Sequence, residues 1–158
     1  MNDDDVISRR QLLKKASPLG RIMLEKDKCT ACGLCALECP TGALTVSFAE
    51  ETDMFKILFK HGSCVACSQC VEICPEKCLR MERLLELDKI NSQSVLFEGE
   101  IIGCSRCGAA IGPKVMIDKL KARVKSSGHS FISQFTLCPS CRLRTQSGWL
   151  SVSNGHST

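Results

Sequence analysis

The sequence predicts an α+β protein of 158 residues built around metal, on three observations. Cys29-Cys32-Cys35-Cys39-Pro40 and Cys64-Cys67-Cys70-Cys74-Pro75 both read C-x2-C-x2-C-x3-C-P, an internal repeat offset by 35 residues. The segment between the two runs alternates apolar and polar residues on either side of a polar turn, which is the pattern of a β-hairpin. Further on, Cys104-Ser105-Arg106-Cys107-Gly108 and Cys138-Pro139-Ser140-Cys141 are two C-x-x-C turns bracketing an insert of helical pattern.

Residues 1–20 carry no Cys. Asp3-Asp4-Asp5 followed by Arg9, Arg10, Lys14 and Lys15 predicts a helix from Asp5 to Ala16, with acids at its start and bases toward its end to complement the dipole. Pro18 and Gly20 break it. A basic amphipathic segment of this kind is expected to dock on a partner or pack on the domain. Ser8-Arg9-Arg10-Gln11-Leu12-Leu13-Lys14 also resembles a twin-arginine export motif. An export signal needs an apolar stretch of about 7–15 residues, however, and Ala16-Ser17-Pro18-Leu19-Gly20-Arg21 interrupts it. A cytoplasmic location is therefore expected, with export through Arg9-Arg10 as the minority reading.

The hairpin is predicted from Leu44-Thr45-Val46-Ser47-Phe48 and Phe55-Lys56-Ile57-Leu58-Phe59-Lys60, with Glu50-Glu51-Thr52-Asp53 as its turn. Ile22-Met23-Leu24 and Leu79-Arg80-Met81 are short strands expected to close the two halves together. The repeat aligns Leu44 with Leu79 and places Cys78 opposite Ala43, so Cys78 reads as a small hydrophobe of the core. Beyond it, Glu82 to Lys89 predicts a short helix and Ser94 to Ile102 an extended segment. Pro113 to Ser126 predicts a helix with Pro near its start and Met116, Ile117, Leu120 and Val124 on one face, ended by Gly128. The residues after Thr145 are rich in Ser and Gly and are expected to be loose.

A cubane iron–sulfur cluster takes one thiolate per iron. A C-x2-C-x2-C loop is compact enough to wrap three corners, and the fourth ligand must come from elsewhere. Pro40 and Pro75 fix their own backbone angle and restrain the preceding Cys, redirecting the chain. Gly33 and Ser68 sit inside the loops, where backbone amides approach the sulfurs and tune the potential. Over residues 21–84 the chain resembles the bacterial-type dicluster ferredoxins at every ligand position. That resemblance implies two [4Fe–4S] clusters, an electron-transfer role and an exchange of the last Cys of each run. One cluster would be held by Cys29, Cys32, Cys35 and Cys74, the other by Cys64, Cys67, Cys70 and Cys39. The predicted fold is thus a pseudo-two-fold dicluster ferredoxin-like α+β domain with an N-terminal helix and a small C-terminal four-cysteine metal-knuckle domain. The expected organisation is a helical partner-docking segment (1–20), the ferredoxin-like domain (21–84), the four-cysteine knuckle domain with its helical insert (85–145) and a flexible tail (146–158).

Cys104, Cys107, Cys138 and Cys141 make a tetrahedral all-sulfur set. The C-x-x-C-G and C-P-x-C forms resemble zinc-ribbon or treble-clef knuckles, and also the loops of rubredoxin that hold a single iron. A helical, aromatic-poor insert favours structural zinc; a third iron–sulfur cluster and a single iron stay open. Four Cys satisfy the site, so His129 and His156 read as packed or solvated.

Composition narrows the function. Thirteen Cys in a short chain would suit a disulfide scaffold, but the count is odd and the spacing is that of metal ligands. With one Trp, no Tyr and six Phe, a dry aromatic core is not expected. The formal charge of +4 falls to about −2 once two clusters and one zinc are held by thiolates, so the basic chain does not argue for nucleic acid. Lys119, Lys121, Arg123, Lys125, Arg142 and Arg144 form a basic group, read as a solvated face because stacking aromatics are sparse. No run is apolar for long enough to span a membrane, so any membrane association would be peripheral and through a partner. There is no nucleotide loop, flavin fingerprint or nucleophile–base constellation, so no catalytic site of its own is expected. The chain is similar to iron–sulfur subunits associated with hydrogenases, formate dehydrogenases and other molybdenum or tungsten enzymes. The resemblance implies an electron-transfer subunit serving a catalytic redox partner; a free soluble ferredoxin-type carrier is the alternative.

Overall fold

The computed structural model describes residues 19–49, 53–127 and 131–152. The helix expected over Asp5–Ala16, the Arg9-Arg10 pair, most of the hairpin turn, His129 and His156 lie outside them. The architecture is α+β, and the described residues fall into two compact units: 19–48 with Phe55–Glu98, and 49 and 53–54 with the described residues from Gly99 onward.

In the first unit, strand β1 (Gly20–Leu24) pairs antiparallel with β4 (Leu79–Arg83), Ile22 facing Met81 and Leu24 facing Leu79. Strands β2 (Leu44–Ala49) and β3 (Met54–Lys60) are hydrogen-bonded neighbours, and β3 also borders the long strand β5 (Gln93–Gly103). Two short helices, α1 (Leu34–Leu37) and α2 (Gln69–Ile73), each carry the third Cys of a run, Cys35 and Cys70. The period of two decides the core: Phe55, Ile57 and Phe59 of β3 are buried while their neighbours are not. Phe97 joins them, its ring 6.4 Å from that of Phe55 in an edge-to-face contact. Aromatic residues therefore contribute more to this core than the composition predicts, because half of the six Phe fall on inward-facing strand positions.

The helix expected over Glu82–Lys89 is mostly absent. Glu82 and Arg83 are taken up in pairing with Arg21 and Gly20, and only Leu87–Lys89 turns into a 3-10 segment. Tertiary pairing overrides local preference here. Glu86 anchors the connection: Lys89 Nζ lies 2.9 Å from its carboxylate, and Arg21 and His61 Nδ1 each lie 3.8 Å away. His61 Nε2 is 2.8 Å from Ser94 Oγ. Gly62, beside it, runs so close to the chain that a Cβ would collide with the carbonyl oxygen of Ile90. Gly62→Ala is expected to cost about 1–3 kcal/mol by overpacking. An anaerobic thermal melt of the holoprotein should show a drop of at least about 4 °C. An unchanged melting temperature would mean the Ile90 turn yields freely.

In the second unit the end of β5 pairs with β6 (Ala110–Pro113), with Ile101 opposite Pro113 and Ile102 opposite Gly112, and a register shift follows at Gly103. Helix α3 (Lys114–Ser126) starts directly after Pro113, which has no N–H to leave unsatisfied. A 3-10 segment (Phe131–Thr136) leads to helix α4 (Pro139–Val152), which continues past Thr145 into the stretch expected to be loose. The buried cluster of this unit consists of Cys104, Cys138 and Cys141, with Ile111 and Leu137 packed against it.

Candidate metal centres

The two Cys runs adopt the same backbone. Ala31 and Ala66 (φ 56° and 52°), Gly33 and Ser68 (75° and 66°), and Gly42 and Lys77 (63° and 49°) are all left-handed, each pair 35 residues apart. A side chain in this conformation costs about 1–2 kcal/mol. Strain repeated at matched places, with Gly at only some of the positions, marks a loop shape imposed by what the loop must do. Burial repeats as well: Cys29 and Cys64 are buried, Cys32 and Cys67 exposed, Cys35 and Cys70 buried. Two backbone bonds close the pattern. Glu25 N–H donates to the Cys78 carbonyl and Lys60 N–H to that of Ala43, both at 2.8 Å. Each joins one half of the repeat to the other.

Two cavities result. One, of about 310 Å³ with its open edge included, is lined by Cys29, Cys32, Cys35 and Cys74 together with Cys78. The other, of about 330 Å³, is lined by Cys39, Cys64, Cys67 and Cys70. Each therefore brings together three Cys of one run and the fourth of the other. Their near-equal volumes and otherwise largely apolar walls suit occupants of one kind.

The thiols fall into matched electrostatic classes. Burial, with the neighbouring thiols, pushes Cys35 up to about 12 and Cys70 up to about 11. Burial also acts on Cys39 and Cys74, but amide donors outweigh it and hold both below the usual thiol range. For Cys39 the donors include the N–H of Leu44 at 3.5 Å, with Thr41 and Ala43; for Cys74 they are Cys78, Glu76 and Lys77. The last Cys of each run thus sits in a cradle of N–H groups that favours its thiolate. The eight Cys singled out in the sequence line these two cavities, four to each. Sequence reading missed the left-handed Ala31, Ala66 and Lys77, because none of these residue types signals that conformation.

It also misjudged the surroundings of Cys78. The residue is buried as expected, 2% exposed, but its neighbours are sulfur: Cys78 Sγ lies 3.5 Å from Cys74 Sγ and within hydrogen-bonding reach of Cys29 Sγ.

In the second unit Cys104, Cys107, Cys138 and Cys141 converge, all four Sγ atoms within 4.8 Å of one another. Cys107 and Cys138 Sγ are 3.6 Å apart. Four sulfurs around one tetrahedral ion at Zn–S distances stand about 3.8 Å apart. Among the described residues this is the one group of potential ligands packed that tightly. Cys138 N–H donates to Cys104 Sγ at 3.3 Å and, with the N–H groups of Arg106 and Cys107, pulls the Cys104 thiol down to about 6. Hydrogen bonds that the Cys141 thiol donates to the other three sulfurs, Cys107 foremost, together with burial, push Cys141 up to about 12. Four thiols this close cannot all ionise without a cation among them. A four-cysteine metal-binding cluster is the result.

Residues 28–78 match a family described as a 4Fe-4S dicluster domain, a stretch that contains both Cys runs and ends on Cys78. No curated protein matches the chain. The first unit therefore carries an iron–sulfur domain of ferredoxin type, accompanied by the C-terminal four-cysteine cluster. No helix among the described residues is long and apolar enough to cross a membrane.

Proposed function

We propose that this protein relays single electrons through two [4Fe–4S] clusters on behalf of a catalytic redox partner. The reading is carried by the exchange of Cys between the two cavities: Cys74 lines the space of the first run, Cys39 that of the second. Cys29, Cys32, Cys35 and Cys74 would hold one cluster, and Cys64, Cys67, Cys70 and Cys39 the other, in a pseudo-two-fold dicluster arrangement. When bound, such clusters supply reversible one-electron chemistry, with all four corners ligated by the chain. What the protein adds is position and environment. The amide cradles at Cys39 and Cys74 stabilise thiolate charge, and the buried Cys35 and Cys70 keep water from the inner corners. Exposed Cys32 and Cys67 bring one corner of each site to the surface, where electrons can enter or leave.

The C-terminal cluster is best suited to one structural zinc. Its sulfur spacing supports a single ion over a third cubane, which binds one thiolate per iron and so spreads them more widely. Four thiolates leave such an ion no open position for substrate, so its role is to fold the second unit. That unit and the N-terminal segment exceed what a diffusing carrier needs, which favours a subunit of a larger oxidoreductase over a free ferredoxin.

Metal and sulfide analysis of anaerobically purified protein tests the cofactors: about eight irons and one zinc per chain are expected. About twelve irons without zinc would put a third cluster at the C-terminal site. Gel filtration of native extract tests the partner: migration with a large complex is expected, and migration as a monomer would return the protein to the free-carrier class.

A further inference from the structure

We infer that Cys78 is a hydrogen-bonding thiol that makes the two electron sites unequal, raising the potential of the one held by Cys29, Cys32, Cys35 and Cys74. The inference rests on the two-cluster reading above. Two halves with the same backbone, the same ligand spacing and near-equal cavities should have near-equal potentials unless something breaks the match. Cys78 is such a break. Its counterpart 35 residues earlier is Ala43, equally buried at 2% but with no polar atom on its side chain. Cys78 Sγ lies 3.5 Å from Cys74 Sγ and in reach of Cys29 Sγ, two sulfurs of one set, and lines that cavity. The Ala43 N–H serves Cys39 as the Cys78 N–H serves Cys74, but the Ala43 side chain has no donor to offer Cys39 or Cys64.

The direction of the effect follows from charge. A fully ligated cluster is anionic and gains one more negative charge on reduction. A sulfur bound to iron has no proton to give, so in the 3.5 Å contact between Cys78 Sγ and Cys74 Sγ the donor is the thiol of Cys78. An S–H donor to a ligand sulfur stabilises the reduced state more than the oxidised one, and so raises the potential. Because the backbone N–H of Cys78 also bonds to Cys74, the residue is held where its side chain must face the sulfurs. Cys78 acts through the ligands and is a positioning residue.

The test is a redox titration of the full-length, anaerobically reconstituted protein followed by low-temperature magnetic resonance, after iron and sulfide have been counted. Cys78→Ala should lower one of the two potentials and leave the other in place. The expected size is about a tenfold loss in the reduced-to-oxidised ratio at fixed poise, or about 59 mV for a one-electron couple. Cys78→Ser, close to Ala in volume but keeping a donor, should recover most of that loss. Ala43→Cys should raise the other potential. If Ala and Ser variants behave alike, or both potentials move together, Cys78 only fills space and the inference fails while the two-cluster reading stands. If the wild-type protein binds no iron, both fall together.

Discussion

Cys74→Ala is expected to strip iron from the site of the first Cys run, although Cys74 belongs to the second. The parent protein should hold about eight irons and the variant about four. Alkylation followed by mass spectrometry identifies the site that is lost: Cys29, Cys32 and Cys35 should become reactive, while Cys64, Cys67, Cys70 and Cys39 stay protected. Cys39→Ala should give the mirror image, exposing Cys64, Cys67 and Cys70. The reasoning is geometric. Cys74 lines the cavity with Cys29, Cys32 and Cys35, and Cys39 lines the one with Cys64, Cys67 and Cys70. If each run instead served its own site, Cys74→Ala would unmask Cys64, Cys67 and Cys70, and the exchange would be disproved. Since the binding energy of a metal site is also folding energy, both variants should melt earlier than the parent. The reciprocal pair keeps the test sharp even so, because general loosening would expose all seven remaining Cys of the two runs in either variant.

Much of this arrangement was legible in the residues. The repeat offset, the hairpin, the pairing of Ile22-Met23-Leu24 with Leu79-Arg80-Met81 and the helix after Pro113 are written in short-range patterns of apolar residues and Pro. The rest depends on partners distant in sequence. Glu82 and Arg83 look helical until β1 claims them. Strand β6 has only four residues, too few for a period to show, and exists because Ile101 and Ile102 lie beside it. Helix α4 begins at a ligand loop, Pro139-Ser140-Cys141, and runs through residues whose Ser and Gly content argues against a helix. Cys78 shows the same limit most clearly: its own burial could be inferred from Ala43, but the identity of its neighbours could not. A hydrophobe and a thiol donor look identical in a one-dimensional pattern.

The matched left-handed residues bear on how the iron–sulfur domain can vary. Ser68 and Lys77 occupy conformations that their partners Gly33 and Gly42 adopt freely. The loop shape therefore survives where the local preference does not, which places its cause in what the loops surround. On the two-cluster reading stability is coupled to occupancy: without a cofactor, the strain at Ala31, Ala66, Ser68 and Lys77 would have nothing to offset it, and the thiols of Cys35 and Cys70 would remain buried beside other thiols.

Removing the C-terminal metal should unfold the second unit and leave the iron in place. Helices α3 and α4 have 13 and 14 residues, lengths at which an isolated helix is marginal in water. Among the described residues the buried hydrocarbon of that unit is sparse: Ile117, with Ile111 and Leu137 packed on the buried Cys104, Cys138 and Cys141. A structural ion bound by four thiolates contributes about 10–16 kcal/mol at neutral pH, more than the stability of most small domains. Treating the whole anaerobic protein with a zinc-selective chelator should therefore release one metal per chain and remove most of the helical circular dichroism of α3 and α4. Visible absorption and iron content should not change. Cys104→Ser should reproduce the loss without chelator, since it removes the thiol that the N–H groups of Cys138, Arg106 and Cys107 hold as thiolate. Helical signal that persists after the metal has left would show that the unit folds on side-chain packing alone; departure of iron together with the zinc would show that the C-terminal Cys serve a cluster.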